Sequence, residues 1–590
     1  MSTRPNIVFV LTDDMSWGDL GCGGNHVIST PNIDSFYDES VRFTNYHVGP
    51  TCSPTRAGLM SGHYCNSTGV WHTIGGRSLM HPDEWTLPQA LKESGYATGM
   101  FGKWHLGDST PYRPHERGFD TAIYHGGGAI GNIPDGWGND YWNDLYYVNG
   151  VEQRFEGYCT DVWFAEAISW IEEHKEEPFF CYIPTNAPHG PFHVEPSYSE
   201  PYRDRTPHIN RAEFYGMITN IDENFGRLRQ LLSRLGLEDN TILIFMTDNG
   251  SAGGVDLDPD GFAENGFNGG LRGKKNSEYD GGHRVPFFMR FPNLDRGTLT
   301  GGVDINTLCA NIDVMPTLLA LCGADIPSGF SFHGTSLLPL LAGSSEHALR
   351  SWSDRALVTD SQRVAYPIKW RKSAVMKGEW RLVNGRELYD LETDRQQRND
   401  VAAANPDLVE ELRNEYHRWW EICSAQYDRI CAMDIGGSEP ETVLTTHDLR
   451  NESCATAWLQ MHVRQAKEVR GFWELDVKKS GSYTVELRRW PRGTTHAICA
   501  GIDGDDVEWR KDVIHERTQM YTGGDPVRVH TAVLKIADVE ESRAVGSDDT
   551  EVVFTIELPA GLARLQAWFM GEPGGMAFSP YYIYIQKENE

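Results

Sequence analysis

Five consecutive residues, Cys52-Ser53-Pro54-Thr55-Arg56, bring together a nucleophile and an anion clamp. Pro54 lacks a backbone N–H and has a preset φ, so it suits the first turn of a helix running through Arg56-Ala57-Gly58-Leu59-Met60. Cys52 then faces the free N–H groups and positive dipole end of that helix. Arg56, one turn on, projects to nearly the same side and can hold an oxyanion through two parallel N–H bonds. The bland alternative is a small buried apolar cysteine beside a surface arginine.

Two further segments carry hard oxygen ligands. The apolar run Ile7 to Leu11 reads as a strand buried on both faces and ends in Thr12-Asp13-Asp14; Thr241 to Met246 reads the same way and ends in Thr247-Asp248-Asn249-Gly250. Asp13 and Asp14 could cap a helix, but with Asp248 and Asn249 they form an all-oxygen shell for a hard divalent cation, where zinc or copper would want imidazole or thiolate. Calcium suits the irregular coordination, with magnesium as the alternative. Asp256 to Gly261 looks like the start of an EF-hand loop, but Phe267 stands where the closing acid belongs and Pro259 is out of place.

Lys103 and His105 leave the strand Tyr96 to Phe101, bracketed by Gly102 and Gly107, and His189 follows the strand Pro178 to Ile183 between Pro188 and Pro191. Asp13, Asp14, Lys103, His105, His189, Asp248 and Asn249 thus all lie just past the carboxyl ends of predicted strands. In a mostly parallel sheet those ends share one edge, where such folds bind their ligands.

The pattern Cys52-x-Pro54-x-Arg56-x-x-Leu59-x-x-Gly62 resembles the signature of the type I sulfatases of the alkaline phosphatase superfamily. Gly102-Lys103-Trp104-His105-Leu106-Gly107 and Arg272 to Arg284 resemble two further segments of that family, and the likeness runs over roughly residues 4 to 425. In the last segment the register selects Lys275, with Asp280 where the family usually has Glu. The resemblance implies that Cys52 is oxidised to formylglycine (3-oxoalanine) by a formylglycine-generating enzyme, and that its hydrate joins Asp13, Asp14, Asp248 and Asn249 around calcium. It further implies that Arg56, Lys103 and Lys275 hold the sulfuryl oxygens, that Lys275 or His189 protonates the leaving oxygen, and that His105 assists loss of the second hydroxyl proton. The expected activity is arylsulfatase-like hydrolysis of an aryl or carbohydrate sulfate monoester. A phosphonate monoester or phosphodiester hydrolase of the same superfamily is the nearest rival, and a non-catalytic carbohydrate-binding protein the rival of another class. A dizinc site is disfavoured because the set lacks the extra histidines.

The elements that must position these residues read as an α/β fold. Helices are expected at Pro31 to Ser40, Thr86 to Ser94, Asp161 to His174, 211 to 236 and Ile312 to Leu321, around a large, mixed, mostly parallel sheet. The catalytic unit is placed at 1–345. A small subdomain follows at 346–430, with short antiparallel strands at Ser373 to Lys377, Trp380 to Val383 and Glu387 to Leu391 closed by the helix Pro406 to Ile422. Past a linker at Gly436 to Pro440, recurring strands with no long helix predict a β-sandwich over 440–590; it is free to bind glycan, pack on the catalytic unit or form a homo-oligomer interface. The segment 125 to 150, dense in Gly, Trp and Tyr, reads as an irregular loop whose aromatics either stack on substrate or pack on one another.

A chain of 590 residues with 39 % apolar content can bury several cores. Its formal charge of −30 argues against nucleic acid and anionic membranes as partners, because either would be repelled at long range. The apolar strand starting at Asn6 leaves no room for a leader, and eleven scattered cysteines without CxxC read as reduced thiols, so a cytoplasmic location is expected.

Overall fold

The computed structural model describes residues 4–588 apart from 207–210, 292–300, 343–351, 353, 505, 515–519, 522 and 573. Its centre is a ten-stranded sheet. In chain order the strands are β1 (Asn6–Thr12), β2 (Val41–Phe43), β3 (Ala97–Lys103), β4 (Thr121–His125), β5 (Leu145–Val148), β6 (Val151–Arg154), β7 (Phe179–Pro184), β8 (Thr241–Thr247), β9 (Phe287–Arg290) and β10 (Val303–Ile305). They lie side by side as β10-β2-β9-β8-β1-β7-β3-β4-β5-β6.

The five central strands, β8, β1, β7, β3 and β4, are mutually parallel, and β9, β5 and β6 run antiparallel to their neighbours. The sheet is therefore mixed and mostly parallel, as expected. Helices cover both faces, which is why the central strands read as unbroken apolar runs. Val8 and Val10 point into one core with Leu243 and Phe245. Ile7, Phe9 and Leu11 point into the other with Ile242, Ile244 and Met246.

Four helices matter for the site and its support: α1 (Pro31–Glu39), α2 (Cys52–Ser61), α3 (Cys159–His174) and α4 (Arg211–Arg234). The first core is closed by α1, α3 and α4 through Phe36, Trp163 and Phe225. The second is closed by α2 through Ala57, Leu59 and Met60. Helix α2 begins at Cys52 itself, about one residue earlier than the sequence suggests, with Pro54 among the first-turn positions whose N–H would go unused.

After the boundary expected near 345, which lies outside the described residues, Ala356–Asp360, Ser373–Lys377, Trp380–Val383 and Glu387–Asp390 form an antiparallel sheet covered by the helix Pro406–Ser424. Val409, Leu412, Tyr416 and Trp419 of that helix pack on Val375, Leu382 and Leu388. Two C-terminal sheets then share one core. The first runs Met433–Ile435, Trp473–Val477, Gly561–Met570, Thr531–Ile536, Val539–Ala544; the second runs Glu441–Thr445, Tyr582–Lys587, Gly481–Arg488, Val552–Leu558. Met433–Ile435 precedes the expected linker at Gly436 to Pro440, so the first sheet already takes in residues upstream of it. Among the described residues no helix is long and apolar enough to cross a membrane.

The small sheet is bolted to the main one through a buried ion pair. Arg381 is fully buried; its Nε lies 3.1 Å from Asp280 Oδ1 and its Nη2 donates to Asn45 Oδ1 at 2.7 Å. Asp280 is also approached by Arg284 at 3.4 Å. Removing Arg381 would strand a buried carboxylate. Arg381→Ala should therefore lower stability by about 3–5 kcal/mol in urea unfolding followed by tryptophan fluorescence; an effect below about 0.5 kcal/mol, typical of a surface substitution, would contradict the assignment.

Candidate active site

Parallel register delivers the acids. Thr12 pairs with Thr247, so Asp13-Asp14 and Asp248-Asn249 leave neighbouring strands β1 and β8 side by side. Leu11 pairs with Pro184 and Met100 with Tyr182, which brings the ends of β7 and β3 to the same edge. Gly102 has a φ of +134°, and a Cβ there would sit 2.1 Å from the Pro184 carbonyl, so only glycine lets Lys103 leave β3 this close to β7.

Three carboxylates and three cations interlock at this edge, nearly all buried. Arg56 donates to Asp248 Oδ2 from Nη2 at 2.8 Å and from Nε at 3.2 Å, and its Nη1 donates to the Lys103 carbonyl at 2.7 Å. Lys103 donates to Asp13. Lys275 Nζ lies 2.6 Å from Asp14 Oδ1 and 2.8 Å from Oδ2. Asn249 Nδ2 donates to Asp14 Oδ1 at 2.8 Å, and the Asp14 N–H donates to Asp248 Oδ1 at 3.2 Å. Asp14 adopts φ +67°, a strained conformation for a residue with a Cβ.

Cys52 Sγ and one oxygen each of Asp13 and Asp248 lie within 4.8 Å of one another. Burial pushes the Cys52 thiol up, against the pull of Lys103 and Lys275, so the unmodified side chain stays a neutral thiol, which is a weak nucleophile. Burial, with the charge of Asp13, raises Asp248 to about 7. Burial works against the charge on Asp14 as well, but the Lys275 ammonium, helped by the Asn249 amide, overcomes it and holds its carboxyl well below the usual range.

The donor set fits a hard cation. Asp13 Oδ1 and Asn249 Oδ1 are buried and have no hydrogen-bond partner, which is costly for oxygens facing nothing but protein. With all three carboxylates ionised against Arg56, Lys103 and Lys275 the cluster carries no net charge; a divalent cation would then leave it positive, as an anionic substrate needs in a chain of charge −30. Asp13, Asp14, Asp248 and Asn249 would hold it. A second cluster, His47, Asp280 and His283, already has Arg381 and Arg284 as its positive charges and reads as structural.

His105 and His189 reach the same place from β3 and β7. His105 Nε2 lies 2.9 Å from the Thr73 carbonyl, so Nε2 carries the proton and the unpartnered, buried Nδ1 is a free base. Burial and Lys103 keep that ring neutral. A Cβ on Gly128 would fall 2.2 Å from its Cε1, so glycine is what lets the ring lie there. His189 Nδ1 donates to the Gly190 carbonyl at 2.6 Å, and its Nε2 faces Asp14 Oδ2 at 3.5 Å. Burial and Lys275 bring His189 down to about 3, whereas Asp14 holds Lys275 charged against the cost of burial.

All ten expected site residues therefore converge. Cys52, His105, His189 and Lys275 line one cavity of about 190 Å³, with Asp13, Asp14, Arg56, Lys103, Asp248 and Asn249 forming its charged floor and support. Asp280, the departure from the expected Glu, still reaches Arg381 and lies at the start of the short helix Asp280–His283.

Sequence reasoning missed other walls of the cavity: Asn132, Arg363 and Trp458. It also missed His447, whose ring centroid lies 6.0 Å from that of His105 and whose Nδ1 is 3.3 Å from Asp448 Oδ1. The aromatics of 125 to 150, left open between stacking on substrate and self-packing, are mostly spent on packing. Tyr141 and Tyr146 are in the core with Trp163, and Trp137 packs edge-on against Trp490 of the C-terminal sheets.

Comparison with known proteins places this geometry. A family model described as sulfatase matches residues 5–324, and one described as N-sulphoglucosamine sulphohydrolase, C-terminal, matches 273–419. Human N-acetylgalactosamine-6-sulfatase is 32% identical over 364 residues, which is 57% of this chain and 66% of that one. An N-acetylgalactosamine-6-O-sulfatase of Bacteroides thetaiotaomicron is 28% identical over 508 residues, 70% of this chain and 92% of the relative. The solved structure of Ps i-CgsB in complex with k-i-k-neocarrahexaose superposes with a TM-score of 0.63 at 26% identity, covering 72% of this chain and 94% of the other.

If the quartet seats a cation, calcium added to metal-stripped protein should raise the thermal unfolding midpoint, by the equivalent of about 2.7 kcal/mol at a hundred times Kd. Asp13→Asn should lose most of that rise. A parent protein whose midpoint responds to neither calcium nor magnesium would contradict the site.

Proposed function

The chain belongs to the sulfatase family, and on that premise we propose that it hydrolyses a sulfate monoester carried by a carbohydrate, with Cys52 oxidised to formylglycine as its nucleophile. The observation that carries the reading is the placement of Cys52 on the first turn of α2, with Sγ within 4.8 Å of an oxygen of Asp13 and one of Asp248, at a strand-end cluster in which Asp13 Oδ1 and Asn249 Oδ1 are buried without partners. A buried neutral thiol is poorly suited to that setting. An aldehyde hydrate at the same position offers a hydroxyl of the right hardness.

In this reading one hydroxyl of the hydrate attacks sulfur in line, and the S–O bond to the sugar breaks as the alcohol leaves with a proton. Lys275 supports the role of proton donor, because Asp14 keeps it charged while His189 has a bare Nε2. Lys103 and Arg56, fixed by Asp13 and Asp248, present positive charge to the sulfuryl oxygens. His105 Nδ1 then accepts the proton of the remaining hydroxyl; the C–O bond to sulfate breaks, the carbonyl re-forms, and water restores the hydrate. Bound calcium would polarise a sulfate oxygen and acidify the attacking hydroxyl. The enzyme that oxidises Cys52 is a necessary partner.

Carbohydrate as the leaving group is supported by relatives named for N-acetylgalactosamine sulfates and by a neighbour solved with a neocarrahexaose. The test is sulfate release from 4-nitrophenyl sulfate and from sulfated saccharides by the parent and by Cys52→Ser. Serine can take up the sulfuryl group but has no second hydroxyl with which to expel it, so the variant should lose multiple turnover and retain one covalent sulfate per chain. Parental turnover in Cys52→Ser would overturn the mechanism.

A further inference from the structure

The C-terminal sheets, which neither family model reaches, are joined to the catalytic unit next to the cleft. The join is a clasp around Gln460. Its Nε2 donates to the carbonyls of Asn132, Asp135 and Gly136 at 3.1, 3.2 and 2.9 Å, and its Oε1 accepts from the Gly138 N–H at 2.9 Å. The Gln460 N–H donates to the Gly131 carbonyl at 2.9 Å, and the Ile133 N–H donates to the Trp458 carbonyl at 3.0 Å. Asn132 and Leu459 form an antiparallel bridge. The two Nε2 hydrogens are shared among the three carbonyls, and with Gln460 only 1% exposed the loss of this side chain would leave buried backbone groups unpaired.

What the clasp holds in place is a wall of the cavity beside Cys52, made of Trp458, Asn132 and, from the small sheet, Arg363. Trp458 is half-buried, and its ring is held edge-on by His462 at 5.5 Å. Asn132 is 2% exposed; its Oδ1 accepts from the Gly128 N–H at 2.9 Å, which leaves Nδ2 buried and without a partner. Arg363 is exposed at the mouth. An apolar ring face, an unused amide donor and a cation around one cavity match a sugar ring, its hydroxyls and an acidic substituent.

We propose that the C-terminal sheets complete the substrate cleft, and that the substrate is an oligosaccharide bearing a second acidic group, recognised by Trp458, Asn132 and Arg363. The proposal rests on the sulfatase reading and narrows its substrate. Trp458 takes the face of a saccharide ring, Asn132 Nδ2 donates to a ring substituent, and Arg363 pairs with a carboxylate or second sulfate.

The test compares kcat/KM of the full chain on 4-nitrophenyl sulfate with that on mono- and disulfated galactose and N-acetylgalactosamine oligosaccharides. Trp458→Ala should lower the value on the oligosaccharides about tenfold more than on the aryl sulfate, with Trp458→Phe recovering part of the loss. Arg363→Gln, an exposed change that leaves the fold intact, should lower the value on the disulfated substrates about tenfold more than on the monosulfated ones. Equal loss on both substrate types, or cleavage of the aryl sulfate with no oligosaccharide either cleaved or competing, would overturn the proposal. A parent that cleaves neither type would instead overturn the sulfatase reading on which it stands.

Discussion

Three carboxylates cannot share one buried edge unless something cancels them, and here Arg56, Lys103 and Lys275 do so. Each arrives from a different stretch of chain, and each is seated on one acid: Arg56 on Asp248, Lys103 on Asp13, Lys275 on Asp14. The arrangement fixes the cations that a sulfuryl group would meet. Removing one member would leave its partner charged, buried and alone, so the strand ends, the first turn of α2 and the Lys275 loop are mutually constrained.

That constraint explains which parts were legible in the sequence. Strands covered on both faces must be continuously apolar, so β1, β7 and β8 announce themselves, and an abrupt polar pair at the end of such a run has to lie at the sheet edge. Register then follows from parallel pairing, which placed Asp13 beside Asp248. The two- and three-residue strands were not legible, because a run as short as Val41–Phe43 or Met433–Ile435 carries no period. Nor was the direction of β9, since an antiparallel strand inside the sheet is as apolar as its parallel neighbours.

The site was legible where chemistry depends on residue type and opaque where it depends on tertiary contact. Acids, lysines and histidines past strand ends carry their own signal. Trp458 carries none, being one tryptophan among eighteen, far along the chain in a region read only as strands. It reaches the cavity because the Gln460 amide binds the backbone of a loop more than three hundred residues away, a match that no local pattern encodes. The same contacts draw the aromatics of 125 to 150 into packing, so the residue left to meet a sugar comes from another part of the molecule.

A polar, cation-ready pocket around a buried thiol makes sense only if the thiol does not remain one. Peptide mass spectrometry of position 52, set beside the specific activity of the same preparations, tests this most directly. The account predicts an aldehyde at residue 52 whose fraction rises in proportion to activity across hosts with and without the oxidising enzyme. A fully active preparation containing only the cysteine thiol would contradict it.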